Sequence, residues 1–152
     1  MIDIRLEKDR AYKHKFVVKV LRDLPDWFQH DGAIRSYGKR AEDMDSFIIS
    51  KNDLDIGFVM VNKTSEDTIE TYCLGIYEDY HREGLGTQLL DHVFDHYKKD
   101  YKLVQVKTLD EGIDKYYDKT IGFYKKFGFI KLEVMPELWG EANPCLVMVK
   151  SL

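Results

Sequence analysis

Cysteine, proline and surplus positive charge are all scarce in this chain. Only two cysteines, Cys73 and Cys145, occur among 152 residues, each inside an apolar run that reads as a strand. That is no disulfide framework, and an intracellular chain keeps such buried thiols reduced. Lysines and arginines number 23 against 27 carboxylates, a formal charge of −4, and no basic patch stands out. A nucleic-acid partner is therefore not expected. No apolar run approaches the length of a membrane span, and the opening MIDIRLEKDR alternates apolar and charged residues where a signal peptide would have an apolar core. A cytoplasmic location without a membrane partner is the expectation. With three prolines and no repeat, linker or low-complexity stretch, nothing divides the chain, and 44% hydrophobic content suits one substantial core. Residues 1–152 read as a single domain.

What is present is a regular succession of periodic segments. Ile2, Ile4 and Leu6 alternate with charged residues, the signature of a half-buried strand. From Arg10 to Phe28, apolar residues including Phe16, Val17, Val20, Leu21 and Leu24 recur at helical spacing, with Pro25 to end or kink the helix. A short helix is expected from Asp31 to Arg40. DSFIIS and DIGFVMVNK form an antiparallel hairpin about KNDLD, and TIETYCLGIY makes a fourth strand. Leu85 onward repeats Leu89, Leu90, Val93, Phe94 and Tyr97 on one face. KLVQVKTL is a fifth strand, Asp114 to Phe127 a last helix stopped by Gly128, and FIKLEVM and PCLVMVK close the chain. The order β-α-α-β-β-β-α-β-α-β-β defines an α/β (α+β) fold. Its fourth and fifth strands, joined through a helix, should run parallel.

The stretch GIYEDYHREGLGTQLL places Gly84 and Gly86 where a helix is about to begin, although glycine weakens helices. A strand, a glycine turn and a helix N-terminus together form an anion site. Unpaired amides converge there, the helix dipole adds positive potential, and Thr87 can contribute a hydroxyl. The spacing fits neither a nucleoside-triphosphate loop, which needs Gly-Lys-Ser/Thr, nor the Rossmann fingerprint.

LGIYEDYHREGLGTQLL resembles the acyl-CoA-binding motif of the GNAT superfamily of N-acetyltransferases, and IGFYKKFGFIKL resembles that family's later motif, in the same order along the chain. The resemblance covers essentially the whole chain. It implies a mixed, mostly antiparallel sheet of about seven strands flanked by helices, acetyl-CoA as acyl donor, and no metal. It also implies a cofactor site in which the backbone of Leu74, Gly75 and Ile76 pairs with the pantetheine arm. Amides across Arg82, Glu83, Gly84, Leu85, Gly86 and Thr87 would hold the pyrophosphate. His81 stands at the family's Arg/Gln position, and Tyr117 stands where many members carry an asparagine that binds the pantetheine arm.

Acetyl transfer to an amine needs a neutral amine, a stabilised oxyanion and a proton for the departing thiolate. Neither cysteine has a histidine close by in sequence to activate it, which suits the direct attack usual in the family. By the resemblance, Tyr124 is the proton donor. Tyr117, Ile121 and Tyr124 share one helix face, while Tyr116, Thr120, Phe123 and Phe127 form another, and one of the two must meet the sheet. Glu70, with the strand parity of Tyr72, Leu74 and Ile76, is the candidate base acting through a water.

His92 and His96, one helical turn apart beside Asp91 and Asp95, read as a solvated face in preference to a metal pair. Trp27, Phe28 and Trp139 fall in regions that border the acceptor pocket in the family, with Asp26, Asp31, Glu137 and Glu141 nearby in sequence. The expected acceptor is the primary amine of a small molecule, aminoglycoside-like or polyamine-like. The alternatives are a protein or peptide amine, or a non-catalytic acyl-CoA sensor. Pairing with a second copy, as a homodimer, stays open.

Overall fold

The computed structural model describes every residue from Met1 to Leu152. Alternation at the start becomes strand β1 (Ile2–Glu7), and the Asp9 side chain then caps helix α1 (Arg10–Arg22) by accepting from the Tyr12 amide. The helix stops short of the periodic pattern that runs on to Phe28. Leu24 precedes Pro25, whose ring disfavours helical backbone at the residue before it. The amides of Trp27 and Phe28 instead bond the Leu24 carbonyl in a turn.

Helix α2 (Asp31–Ala41) leads to β2 (Asp45–Lys51) and β3 (Leu54–Lys63), an antiparallel hairpin. Asn52 and Asp53 both take positive φ, +50° and +67°, the handedness that suits a two-residue hairpin turn. Strand β4 (Thr68–Ile76) is followed by a short 3-10 turn at Glu78–Tyr80 and helix α3 (Leu85–Tyr97). Then come β5 (Leu103–Leu109), α4 (Lys115–Phe127), β6 (Ile130–Met135) and β7 (Cys145–Ser151). Gly128, at φ +111°, closes α4 in a left-handed cap.

The seven strands hydrogen-bond in the order β1-β2-β3-β4-β5-β7-β6. β4 and β5 are parallel, pairing Thr68–Glu70 with Leu103–Gln105, whereas β1/β2, β2/β3, β5/β7 and β6/β7 are antiparallel. The fold is thus the mixed, mostly antiparallel seven-stranded sheet flanked by helices.

Two compact units divide the chain: Met1–Asn62 with Thr71–Tyr97, and Lys63–Glu70 with Lys98–Leu152. In the first unit, Phe16, Val17, Val20 and Leu21 of α1 bury against Ile48, Phe58, Met60 and Cys73 of the strands. α3 sinks Leu89, Leu90 and Val93, all without exposed surface, and each such leucine or valine contributes about 1.5–3 kcal/mol. Phe47 of β2 meets His92 and His96 edge-on, with ring centroids 6.0 and 5.2 Å away, so these histidines pack against an aromatic ring. In the second unit the buried residues include Val104 and Val106 of β5, Leu146 and Met148 of β7, and Ile121 and Tyr124 of α4. Of the two α4 faces, the one bearing Ile121 and Tyr124 is therefore the buried one, and Tyr117 on it is half-buried. Both cysteines are free and buried. Desolvation pushes the Cys73 thiol well above its ordinary range, which keeps it protonated.

Candidate active site

In the first unit the chain leaves β4 at Ile76 and reaches α3 through eight residues, 77–84, whose conformation is held from several directions. The ring Nε2 of His81 lies 2.7 Å from the Ile76 carbonyl oxygen, tying the turn back to the strand end. The same ring meets Trp27 edge-on at 5.8 Å. His81 is thus engaged within the protein. The Glu78 amide donates to Asp23 Oδ2 at 2.9 Å, and Lys51 Nζ lies 2.5 Å from Glu83 Oε1. Lys51, at the end of β2, brings an ammonium to this turn. It escaped the sequence reading because 32 residues separate it from Glu83.

Two turn residues have left-handed backbone, Arg82 at φ +66° and Gly84 at φ +73°. For arginine that conformation is costly, on the order of 1–3 kcal/mol, and such residues cluster at ligand clamps. A Cβ built on Gly84 would meet nothing within 4 Å, so glycine stands there for its φ and the space beside it is open. Gly86 lies inside the first turn of α3. The first intrahelical bond runs from the Gln88 amide to the Gly84 carbonyl, 3.2 Å, which leaves the amides of Leu85, Gly86 and Thr87 without a partner one turn back. With the helix dipole behind them and no Cβ at residues 84 and 86, these amides fit a diphosphate.

Leu74, Gly75 and Ile76, the remaining cofactor candidates of this unit, lie past the last pair of the β4/β5 ladder, Glu70 with Gln105. Leu74 is half-exposed, Gly75 and Ile76 are buried, and the Tyr77 amide closes the strand by bonding the Ile56 carbonyl. Aromatic side chains gather near the α1–α2 connection. Phe28 meets Tyr37 at 5.9 Å and Tyr37 meets Tyr72 at 5.7 Å, all edge-on, while the Arg40 guanidinium lies 5.8 Å above the Tyr72 ring. Of the carboxylates near this connection, Asp31 is committed to Arg22 and Arg35, both at 3.0 Å. Asp55, at the start of β3, is ringed by the Arg5 guanidinium at 2.9 and 3.0 Å, Ser50 Oγ at 2.6 Å and the Tyr12 hydroxyl. The Arg5 hydrogen bonds hold it well below the usual carboxylate range.

In the second unit Glu70 is almost wholly buried, and its Oε2 accepts from Lys107 Nζ at 3.1 Å. Its other oxygen, Oε1, has no hydrogen-bond partner in the protein. The candidate base is thus a buried carboxylate with one oxygen paired. Tyr124, 4% exposed, is packed edge-on between Phe123 and Phe129, with ring centroids at 5.4 and 5.2 Å. The side chains of His, Cys, Asp and Glu form no cluster of three able to hold a metal.

The family model described as the acetyltransferase (GNAT) domain matches residues 42–131, more than half of the chain. The chain belongs to the GNAT acetyltransferase family. It is an acetyl-CoA-dependent N-acetyltransferase. Among curated protein sequences none matches it. Among solved structures, it is similar to a protein from Desulfovibrio desulfuricans assigned to the GNAT family (14% identity, 99% of both chains, TM-score 0.86). It is likewise similar to a GNAT acetyltransferase from Elizabethkingia anophelis with acetyl-CoA bound (18% identity, 99% of this chain and 98% of that one, TM-score 0.73). A third is an aminoglycoside 6'-N-acetyltransferase complexed with coenzyme A (17% identity, 98% and 96%, TM-score 0.75). At these identities the likeness is one of fold.

Proposed function

We propose that the chain transfers the acetyl group of acetyl-CoA to the primary amine of a small molecule, aminoglycoside-like or polyamine-like, and that residues 1–152 work as one domain. The observation that carries this reading is the bare-amide turn at the start of α3, strained at Arg82 and opened by Gly84, on residues that match the family's cofactor motif. Acetyl-CoA supplies an acetyl group already activated as a thioester.

In this reading the amides from Arg82 to Thr87 bind the diphosphate, and the backbone of Leu74, Gly75 and Ile76 aligns the pantetheine arm. Tyr117 contributes to that arm's binding. His81 positions the strand end by holding the Ile76 carbonyl. Tyr124 holds the proton that the departing thiolate takes up, at its hydroxyl oxygen. Glu70 draws the amine proton through a water at Oε1, since Lys107 engages Oε2. The aromatic side chains of Trp27, Phe28, Tyr37 and Tyr72 support a small cationic acceptor, because an ammonium is attracted to aromatic faces.

The test is thiol release from acetyl-CoA against a panel of diamines, aminoglycosides and peptides. Turnover on small amines that Tyr124→Phe abolishes while coenzyme A still raises Tm supports the reading. Thermal protection by coenzyme A without turnover on any amine leaves a sensor. Turnover on peptides alone moves the acceptor to proteins.

A further inference from the structure

Two side-chain hydroxyls are enclosed without a hydrogen-bond partner, those of Thr71 in β4 and Thr108 in β5. Other buried hydroxyls are engaged: Ser46 Oγ donates to the Met44 carbonyl at 3.3 Å and Ser50 Oγ to Asp55 at 2.6 Å. An unmet polar group in the interior is destabilising, so each one in a native structure calls for an account. Thr108 lies within the β5/β7 ladder, opposite Leu146. Thr71, 3% exposed, is placed differently. The β4/β5 ladder ends at Glu70, so Thr71 is the first residue of β4 beyond it and directly follows the candidate base.

β4 runs towards the cofactor turn. Read back from that turn, it presents Ile76, Gly75 and Leu74, the residues assigned to the pantetheine arm, and then Cys73, Tyr72 and Thr71. Between diphosphate and sulfur the arm has about a dozen bonds, which span ~14 Å at the ~1.2 Å per bond of an extended chain. At about 3.3 Å per residue, that length covers about four residues of strand. An arm that starts beside Ile76 therefore brings its sulfur, and the acetyl carbonyl bonded to it, level with Tyr72 and Thr71.

In the transfer, Tyr124 and Glu70 handle protons, but neither stabilises the oxyanion. As the amine nitrogen attacks the thioester carbon, a C–N bond forms and the carbonyl π electrons move onto oxygen. Their return breaks the C–S bond, the thiolate takes its proton from Tyr124, and the amine gives up its own to Glu70 through a water. Meanwhile the negative oxygen needs a donor fixed in advance and shielded from water. A buried hydroxyl with no acceptor in the protein is such a donor.

We propose that the Thr71 hydroxyl donates to the thioester carbonyl oxygen of acetyl-CoA and stabilises the oxyanion, as a further catalytic residue. The proposal rests on the seating of the arm along Leu74, Gly75 and Ile76. Thr71→Val removes the hydroxyl at nearly constant shape, and Thr71→Ser keeps it. Thiol release is compared at saturating acetyl-CoA on whichever amine or peptide the wild type acetylates best. Thr71→Val should lose kcat on the order of 10²-fold, with Thr71→Ser retaining most of it. The unliganded Thr71→Val protein should melt no lower than wild type, since no bond is lost. Coenzyme A, which has the arm but no thioester carbonyl, should raise the Tm of both equally. A kcat for Thr71→Val within about twofold of wild type would overturn the proposal. So would a lower unliganded Tm, the mark of a hydroxyl bonded inside the protein through a buried water. A smaller rise with coenzyme A for Thr71→Val assigns the hydroxyl to an amide of the arm and overturns its role at the thioester. A wild type that acetylates only peptides removes the small-amine reading and leaves the Thr71 comparison standing, whereas no transfer to any acceptor overturns both.

Discussion

Replacing Lys107 by methionine should destabilise the protein more than replacing Glu70 by glutamine, although both changes break the same ion pair. The Glu70 side chain is 5% exposed and that of Lys107 is 25% exposed. Removing the lysine leaves a nearly buried carboxylate without its counter-charge, and breaking a buried pair in that way costs about 3–5 kcal/mol. Partial solvation at the lysine end places the expected loss near the bottom of that range, about 3 kcal/mol. Removing the glutamate charge leaves an ammonium on a flexible stem that can turn towards solvent, and a glutamine oxygen can still accept from it. The cost there should be about 1 kcal/mol. The double variant has no stranded charge, so the two losses should fall short of adding by about 2 kcal/mol. Guanidinium titrations of the four proteins, compared at constant m-value, measure all of this. Equal single losses that simply add would refute the reasoning. Activity separates structure from chemistry in the same set, because Glu70→Gln removes the proposed base while Lys107→Met retains it. At a temperature where both are folded, only the glutamine variant should lose kcat.

Gly57→Ala should lower stability by about 1–3 kcal/mol, the cost of overpacking, because the new Cβ would lie 2.7 Å from Ile76 Cγ1 and 2.8 Å from the Gly75 carbonyl oxygen. A chemical denaturation midpoint reads it. At Gly84 the space is open and only the backbone resists, so Gly84→Ala should cost about 1 kcal/mol through its positive φ and reduce the rise in Tm that coenzyme A produces. Asp55 titrates at a lower pH folded than unfolded, so its contribution is complete above the unfolded value and disappears as pH falls through the folded one. The stability gap between wild type and Asp55→Asn should therefore hold from about pH 7 to pH 5 and close only below about pH 4, as followed by thermal melts in a series of buffers.

Local periodicity made most elements legible. Alternation marked β1, helical spacing marked α3 and α4, and a crossover helix implied that β4 and β5 run parallel, as they do. Pro25 is expected to end or kink the first helix, and α1 indeed stops at Arg22, short of Phe28, because the geometry before the proline overrides the helical spacing that reaches Leu24. Strand order was out of reach. FIKLEVM and PCLVMVK follow one another in sequence, but β7 lies between β5 and β6, and no local feature of either segment encodes which long-range edge it meets. For the same reason parity placed Glu70 on a strand face without revealing Lys107, its partner 37 residues away.

The glycines that first drew attention to residues 75–90 have different duties, and that difference bears on binding. Gly84 is required by φ, whereas Gly86 sits in the first helical turn, where a missing side chain leaves its amide open to approach. Arg82 adopts left-handed backbone without glycine's freedom, so the turn stores strain that the rest of the unit must support. The support is visible: His81 holds the Ile76 carbonyl, Lys51 holds Glu83, and Asp23 holds the Glu78 amide. A turn fixed at three points needs little further ordering when an anion arrives, and ordering is one of the main costs of association. A change at His81 or Lys51, neither of which supplies a main-chain amide from the first turn of α3, would loosen this turn and should weaken coenzyme binding, as a smaller rise in Tm with coenzyme A would show.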